Sequence, residues 1–141
     1  MNFRIQRVAV LGSGVMGSGI ACHLANVGFE VLLLDIPSPK TTQPQQKNDL
    51  VNGALKKAIA SKPAPLYDKS FAAKITTGNF EDDFEKIANA DWIIEVVIER
   101  LEIKQQIFEK VEQFRTPKSL VSTNTSSIPI KLLAAGRSDD F

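Results

Sequence analysis

Cysteine and histidine are almost absent from this chain of 141 residues, which contains one of each. The single cysteine, Cys22, excludes a disulfide within the chain and fits a reducing compartment such as the cytoplasm. One cysteine and one histidine are too few for a zinc site built from those residue types. We therefore expect a cytoplasmic protein without a metal site.

Long hydrophobic runs and an excess of one charge are also missing. No apolar run approaches the ~20 residues that a membrane-spanning helix needs. The formal net charge of +1 gives no support for binding to nucleic acid or to a membrane surface. The amino-terminal residues 1–7 lead into the first predicted strand and do not resemble a signal peptide. The length and the 43% hydrophobic content predict one globular domain over residues 1–141.

The sequence does contain a glycine-rich stretch between a strand-like and a helix-like segment. Residues 8–21 are Val-Ala-Val-Leu-Gly-Ser-Gly-Val-Met-Gly-Ser-Gly-Ile-Ala. In this context, Gly12 allows a sharp turn, Gly14 lets the backbone approach a pyrophosphate, and Gly17 lets the helix pack close to the strand. The free N–H groups at the start of the helix favour phosphates. The predicted cofactor-binding residues in this turn are Gly12, Gly14, Val15, Met16 and Gly17.

A carboxylate ends the next predicted strand. Asp35 lies 18 residues after Gly17, close to the spacing of the acidic residue that binds the adenosine ribose of a dinucleotide. A carboxylate accepts a hydrogen bond from a 2′-hydroxyl and repels a 2′-phosphate, so NAD is favoured over NADP. The alternative is a solvated aspartate that merely ends the strand.

Strand-like and helix-like segments alternate along the whole chain. The pattern predicts strands at 7–11, 30–35, 75–78, 92–95 and 119–122. It predicts helices at 15–27, 48–61, 82–88, 101–114 and 129–135, a short helical turn at 69–74 and a polar loop at 37–47. This alternation indicates an α/β fold, a doubly wound Rossmann-type parallel sheet of five predicted strands with helices on both faces. The usual arrangement has a sixth strand, which we expect to be cut off at residue 141.

Polar residues follow the fourth and fifth predicted strands, at the edge of the sheet where ligands bind. The fourth strand ends in Glu95, with Glu99 and Lys104 beyond it, and the fifth is followed by Asn124, Ser126 and Ser127. Such groups suit a nicotinamide, its ribose and a polar substrate. Alternatively, Glu99 and Lys104 form a solvated pair at the start of a helix. For Asn124 and Ser126 the alternative is a role in capping the last helix, and we expect Ser127 to cap that helix in any case.

Three separated motifs together resemble the L-3-hydroxyacyl-CoA dehydrogenase family over essentially the whole chain. They are the glycine stretch 8–21, Ile-Glu-Val-Val-Ile-Glu-Arg-Leu-Glu-Ile-Lys at 94–104 and Ser-Thr-Asn-Thr-Ser-Ser at 122–127. The resemblance implies oxidation of the 3-hydroxyl of a fatty acyl-CoA in β-oxidation, with NAD as hydride acceptor. Segment 37–74 is similar to large bacterial forms that carry further domains, including an enoyl-CoA hydratase-like one. The oligomeric state stays open.

The resemblance also implies roles for individual residues. The three glycines hold the pyrophosphate and Asp35 the adenosine ribose. Glu99 and Lys104 lie by the nicotinamide ribose. Asn124 positions the nicotinamide or the catalytic groups, and Ser126 lies between the cofactor and the 3-oxygen of the substrate. Ser126 and Asn124 are therefore the candidate catalytic residues.

The sequence departs from the family in its general base. That base is a histidine in a Gly-x-His-Phe-Phe-Asn-Pro motif, which this sequence lacks, as it lacks the helical domain that follows. Its one histidine, His23, falls inside the first predicted helix and is expected to be a surface or packing residue. We expect a part of a longer enzyme that binds NAD without turnover. The alternatives are a dehydrogenase of a non-CoA hydroxy acid and a non-catalytic NADH-sensing module.

Overall fold

Five parallel strands form one sheet in the computed structural model, which describes residues 4–39 and 42–141. The strands are β1 (Arg7–Leu11), β2 (Glu30–Asp35), β3 (Ile75–Asn79), β4 (Trp92–Glu95) and β5 (Leu120–Thr123), in the order β3-β2-β1-β4-β5. The α-helices are α1 (Val15–Asn26), α2 (Asp49–Ile59), α3 (Leu101–Phe114) and α4 (Ile130–Leu133). Short 3-10 helices span Pro44–Gln46, Lys69–Lys74 and Phe84–Asn89. The predicted α/β, Rossmann-type class is confirmed.

Helices cover both faces of the sheet, and β1 shows how the sequence produces this. Its residues 8–11 are all buried. Val8 and Val10 belong to a core cluster with residues of α1 and α2, whereas Ala9 and Leu11 belong to a second cluster with residues of α3. Side chains alternate between the two faces of a strand, so a strand covered on both faces needs a continuous apolar run.

The first helix lies close to the sheet through its small residues. Gly17, Ala21 and Ala25 recur every four positions, a spacing that predicts one face of small residues, and all three are buried. Gly28 has φ +96° directly after the helix, and its N–H donates to the Ala25 carbonyl at 3.1 Å. A glycine in this conformation ends the helix without the strain that a side chain would cause.

Two predicted boundaries near the carboxyl end of the chain are wrong by one and two residues. Strand β5 begins at Leu120 because the N–H of Ser119 is engaged in a turn with the Thr116 carbonyl at 3.1 Å. Helix α4 ends at Leu133, well before Gly136. The Leu132 carbonyl accepts a hydrogen bond from the Gln105 side-chain amide at 3.0 Å, in place of the N–H of a further helical turn.

The buried face of α3 also differs from the predicted one, although its bounds are confirmed. The helical period of 101–114 predicts one stripe formed by Leu101, Gln105, Phe108 and Val111. In the structure, Leu101 and Gln105 are only half-buried. The buried residues are Lys104, Ile107, Phe108 and Val111. Lys104 enters the stripe because it has a buried carboxylate as its partner, a contact between elements that helical periodicity does not encode.

Some expectations fall partly outside the described part of the chain. These are the absence of a signal peptide, which involves residues 1–3, and the polar loop 37–47, which includes residues 40 and 41. Within 4–39 and 42–141, none of the helices combines the length and the apolar character that crossing a membrane requires.

Candidate cofactor-binding site

A cleft of about 730 Å³ lies at the carboxyl ends of β1, β2 and β4. The chain runs from β1 to β2 on one side and returns to β4 on the other, so this is the switch point at which open α/β sheets bind ligands. Every residue predicted to bind the cofactor lines the cleft: Gly12, Gly14, Val15, Met16, Gly17, Asp35, Glu99, Lys104 and Asn124. Ser126 does not line it.

A second cavity, of about 480 Å³, lies at the opposite edge of the sheet. It is lined by the amino-terminal ends of β1, β2 and β3, including Arg7, Glu30 and Lys74. Because helices start and strands end at the other edge, the cleft with the glycine turn is the better candidate for a phosphate-containing ligand.

The glycine turn has the geometry that a pyrophosphate site requires. Gly12 has φ +113°, and a Cβ there would lie 2.5 Å from the Val96 carbonyl oxygen. A Cβ at Gly17 would lie 1.8 Å from the Gly12 carbonyl oxygen, so any side chain would push α1 away from the turn. A Cβ at Gly14 would meet nothing within 4 Å. The first two glycines therefore permit close packing, and Gly14 leaves open space in front of the helix N-terminus.

Asp35 is tied to the glycine turn. Its Oδ2 accepts hydrogen bonds from the backbone N–H of Ser13 at 2.7 Å and from the Ser13 hydroxyl. Its Oδ1 accepts from the N–H of Ile36 at 2.7 Å. A carboxylate has about four acceptor positions, so one position on Oδ1 is left for a ligand hydroxyl. This arrangement fits the adenosine ribose of NAD and does not support a merely solvated aspartate.

The β4 side of the cleft contains a buried ion pair. Lys104, at 1% exposed, donates from Nζ to Oε1 of Glu95 at 2.7 Å, and Glu95 is fully buried. The alternative of a solvated pair at the start of a helix is therefore wrong for Lys104. Glu95 does not line the cleft, so its expected place among the polar groups at the strand end is corrected. It lies beneath the cleft and contacts a residue that does line it.

Glu99 holds the turn that follows β5. Its carboxylate accepts hydrogen bonds from the Thr125 hydroxyl and, at 3.4 Å, from the Ser127 hydroxyl. The Thr125 hydroxyl, and after it the charge of Lys104 and the Ser127 hydroxyl, hold the pKa of Glu99 below its usual value. Ser127 thus bonds to Glu99 and does not cap α4, whose N-cap is Pro129.

The two candidate catalytic residues lie on this turn. Asn124 and Ser126 are exposed. The backbone N–H of Asn124 donates to the Glu95 carbonyl at 2.8 Å, which places Asn124 at the end of the cleft. Ser126 is near Glu99 and is not among the residues that line the cleft.

Other reactive groups lie away from this cleft. His23 is exposed on α1 and does not line the cleft. Cys22 is buried, and burial raises the pKa of its thiol. No cluster of three or more His, Cys, Asp or Glu side chains suited to a metal ion occurs within residues 4–39 and 42–141.

Reasoning from the sequence alone missed the apolar walls of the cleft and the role of Ser13. The walls include Ile36, Phe80, Val97, Ile98 and Ile103. Ile36 directly follows Asp35, the carboxylate that ends β2, and Ile98 directly precedes Glu99, which is a weak signal. Phe80 and Ile103 reach the cleft only through the tertiary fold. A ligand with flat rings at both ends would bury apolar surface against such walls.

Comparisons with known proteins agree with this geometry. Residues 7–140 match the family model described as 3-hydroxyacyl-CoA dehydrogenase, NAD binding domain. A Bacillus subtilis protein named as a 3-hydroxyacyl-CoA dehydrogenase is 50% identical over 152 residues, covering 100% of this chain and 19% of its own length. The chain thus spans about a fifth of that relative.

Solved structures show the same fold. The crystal structure of a 3-hydroxybutyryl-CoA dehydrogenase from Escherichia coli K12 superposes with a TM-score of 0.70 and 32% identity, covering 97% of this chain and 28% of its own. A diketoreductase structure, concerned with dicarbonyl compounds, has a TM-score of 0.71 and 29% identity, covering 97% of this chain and 48% of its own. With its glycine turn, its ribose carboxylate and a family match over nearly its whole length, the chain belongs to the NAD-binding domain family of the 3-hydroxyacyl-CoA dehydrogenases, and its cofactor is NAD.

Proposed function

We propose that this chain is the cofactor-binding part of an enzyme that oxidises the 3-hydroxyl group of an acyl-CoA thioester. The observation that carries the proposal is the division of the cleft. Asp35 and the glycine turn lie on the β2 and β1 side, and Lys104 and Asn124 lie on the β4 and β5 side. A ligand with two nucleoside halves joined by a pyrophosphate matches this layout.

Each part of the cleft has a separate task when the cofactor is present. The open space at Gly14 and the N–H groups of α1 would hold the pyrophosphate, and Asp35 would accept from the adenosine ribose. Lys104, Glu99 and Asn124 would orient the nicotinamide half. NAD supplies the acceptor for the hydride that leaves the substrate carbon.

Ser126 is proposed to contact the 3-oxygen of the substrate. It lies two residues after Asn124, which lines the cleft, on an exposed turn that Glu99 holds in place. Exposure is needed because the acyl-CoA has to approach from outside this domain. In this position, the Ser126 hydroxyl can donate a hydrogen bond to the substrate oxygen or accept one from it.

The resemblance implies a histidine as the general base for the proton of the 3-hydroxyl, and no histidine lines the described cleft. His23 is exposed on α1, outside the cleft. General-base catalysis commonly contributes ~10²–10⁴-fold, so the chain alone is expected to bind NADH without appreciable turnover. We propose that further domains of a longer chain supply the base and the acyl-CoA site, and that the protein is cytoplasmic.

Titration of the chain with NADH and NADPH, followed by NADH fluorescence, tests the cofactor assignment. We expect saturable NADH binding and much weaker NADPH binding, because Asp35 would repel a 2′-phosphate. Equal binding of the two, or binding of neither, would refute it. Turnover of 3-hydroxybutyryl-CoA by the 141-residue chain at the rate of a longer enzyme would refute the proposed missing base.

The second candidate substrate is a hydroxy acid that carries no CoA. The likeness to the diketoreductase, described as acting on dicarbonyl compounds, favours this candidate. Among the described residues, the lining of the cofactor cleft does not distinguish an acyl-CoA from a free hydroxy acid. An assay of the longer enzyme with 3-hydroxybutyryl-CoA and with free 3-hydroxybutyrate separates the two. A preference for the free acid would replace the acyl-CoA proposal and leave the NAD site unchanged.

A further inference from the structure

The buried ion pair beneath the β4 side of the cleft requires an explanation beyond stability. Glu95 and Lys104 are 0% and 1% exposed and lie 2.7 Å apart. Removing two charges from water is costly, and apolar replacements of such pairs are often neutral or stabilising. A buried pair next to a ligand cleft is therefore better explained by what its charges do there.

The Glu95 carboxylate is fixed by donors from three different segments. Besides Lys104 on α3, its Oε1 accepts from the backbone N–H of Val97 at 2.7 Å. Its Oε2 accepts from the Thr123 hydroxyl at the end of β5. With both oxygens engaged, the carboxylate has a single orientation, and that orientation fixes the position of its partner ammonium.

The Lys104 ammonium has one donor to spare. Its acceptors within the described part of the chain are Oε1 of Glu95 and, at 3.1 Å, the Val97 carbonyl. An ammonium carries three N–H donors. Lys104 also lines the cleft, so a ligand bound there is the candidate acceptor for the remaining N–H.

We propose that Glu95 is a positioning residue for the cofactor, which holds the Lys104 ammonium so that its remaining N–H serves the nicotinamide half of the cleft. Thr123 assists by fixing the second carboxylate oxygen. The inference rests on the proposed function, which assigns the β4 side to that half of the cofactor. Asp35, across the switch point on β2, serves the adenosine half and has no part in this cluster.

Binding of NADH and of ADP to matched variants tests this role. ADP contains the adenosine ribose and both phosphates but not the nicotinamide ribose. We expect Glu95→Gln to weaken NADH binding about tenfold, because a misplaced ammonium loses a charge-assisted hydrogen bond, and to change ADP binding less than twofold. Glu109→Gln, the same chemical change at an exposed position of α3, is the control and is expected to alter neither affinity.

A double-mutant cycle shows whether Glu95 acts through Lys104. In a Lys104→Met background, Glu95→Gln is expected to have no further effect on NADH affinity, because no ammonium remains to be positioned. Thr123→Val gives a milder version that keeps the buried charges, so it tests the idea even where Glu95→Gln does not fold. We expect a several-fold loss in NADH affinity from Thr123→Val, with ADP affinity retained.

The outcomes separate the two proposals. Glu95 would have a purely structural role if its change to Gln weakened NADH binding and ADP binding equally. The same conclusion would follow if Glu95→Gln or Thr123→Val kept its full effect in the Lys104→Met background. Either outcome would overturn the positioning role. Wild-type NADH affinity in both Glu95→Gln and Thr123→Val would overturn it as well. Failure of the wild-type chain to bind NADH would instead overturn the proposed function on which it rests.

Discussion

Three glycines of one segment are expected to respond differently to the same added methyl group. Gly14, Gly17 and Gly19 lie within six residues, and each can be changed to alanine. A Cβ at Gly17 would lie 1.8 Å from the backbone oxygen of Gly12, whereas real contacts of this kind are essentially never under 3.0 Å. Helix α1 and the turn would therefore have to separate by about 1.2 Å.

The expected cost of Gly17→Ala follows from this displacement. Overpacking of a core costs typically about 1–3 kcal/mol, and the upper end applies here because the atoms met by the methyl group are backbone. Gly19→Ala meets nothing within 4 Å, so it is expected to raise the free energy of unfolding by about 0.5–1 kcal/mol through helix propensity. Gly14→Ala also meets nothing and has an ordinary φ of −59°, so stability is expected to stay within about 0.5 kcal/mol.

Cofactor affinity is expected to follow a different order from stability. Gly14→Ala fills the space in front of the helix N-terminus and should weaken NADH binding at least tenfold in a fully folded protein. Gly17→Ala should lower both stability and affinity, and Gly19→Ala should leave affinity unchanged. Urea unfolding and NADH titration measure the two quantities separately. Equal stability of the Gly17 and Gly19 variants, or wild-type NADH affinity in Gly14→Ala, would refute the reasoning.

Three further changes are expected to have measurable effects. Asp35→Asn should weaken NADH binding about tenfold and reduce the ratio of NADH affinity to NADPH affinity, which titration with the two cofactors measures. An unchanged ratio would contradict the assignment of Asp35 to the ribose. Thr125→Val removes the main cause that lowers the pKa of Glu99, so the NMR titration of Glu99 should move up toward its ordinary 4.5. A depressed carboxyl pKa stabilises the fold above the ordinary pKa, and this stabilisation is lost as pH falls. The variant should therefore be less stable than the wild type at neutral pH and equally stable in acid, and an unmoved titration would count against the contact. Asp91→Asn removes the charge of a carboxylate whose Oδ2 accepts hydrogen bonds from the N–H groups of Gln6 and Arg7, both at 2.9 Å. Because these two donors lower the pKa of Asp91, we expect the free energy of unfolding to fall by about 1 kcal/mol at neutral pH and to be unchanged in acid. Denaturation at both pH values measures the difference.

Local patterns were sufficient to predict most of the fold. The bounds of β1, β2, β4 and α3 agree with the sequence predictions because each has a clear apolar period or run. The end of α4 and the start of β5 could not be predicted. Each depends on a hydrogen bond, from a distant or a neighbouring group, that replaces the regular helix or strand hydrogen bond. Gln105, which binds the Leu132 carbonyl, is the clearest case.

The candidate site was predictable where the motif itself carries the geometry. The glycine spacing and Asp35 place one half of the cleft, because the strand–turn–helix unit is local. The other half could be assigned only by resemblance, since spacing does not show that Lys104 turns inward to Glu95. Ser13 lay inside the motif, but its hydroxyl bond to Asp35 depends on the pairing of β1 with β2.

The bond between Ser13 and Asp35 has a consequence for redesign of cofactor preference. Ser13 is only 2% exposed, and both its N–H and its hydroxyl donate to Asp35. Conversion to NADP use by a change at Asp35 alone would therefore remove the acceptor of two enclosed donors and leave at least the amide N–H unsatisfied, at a cost of roughly 1–3 kcal/mol. The two positions have to be exchanged as a unit, and a library that varies them together should contain NADP-using variants that single substitutions at Asp35 do not reach.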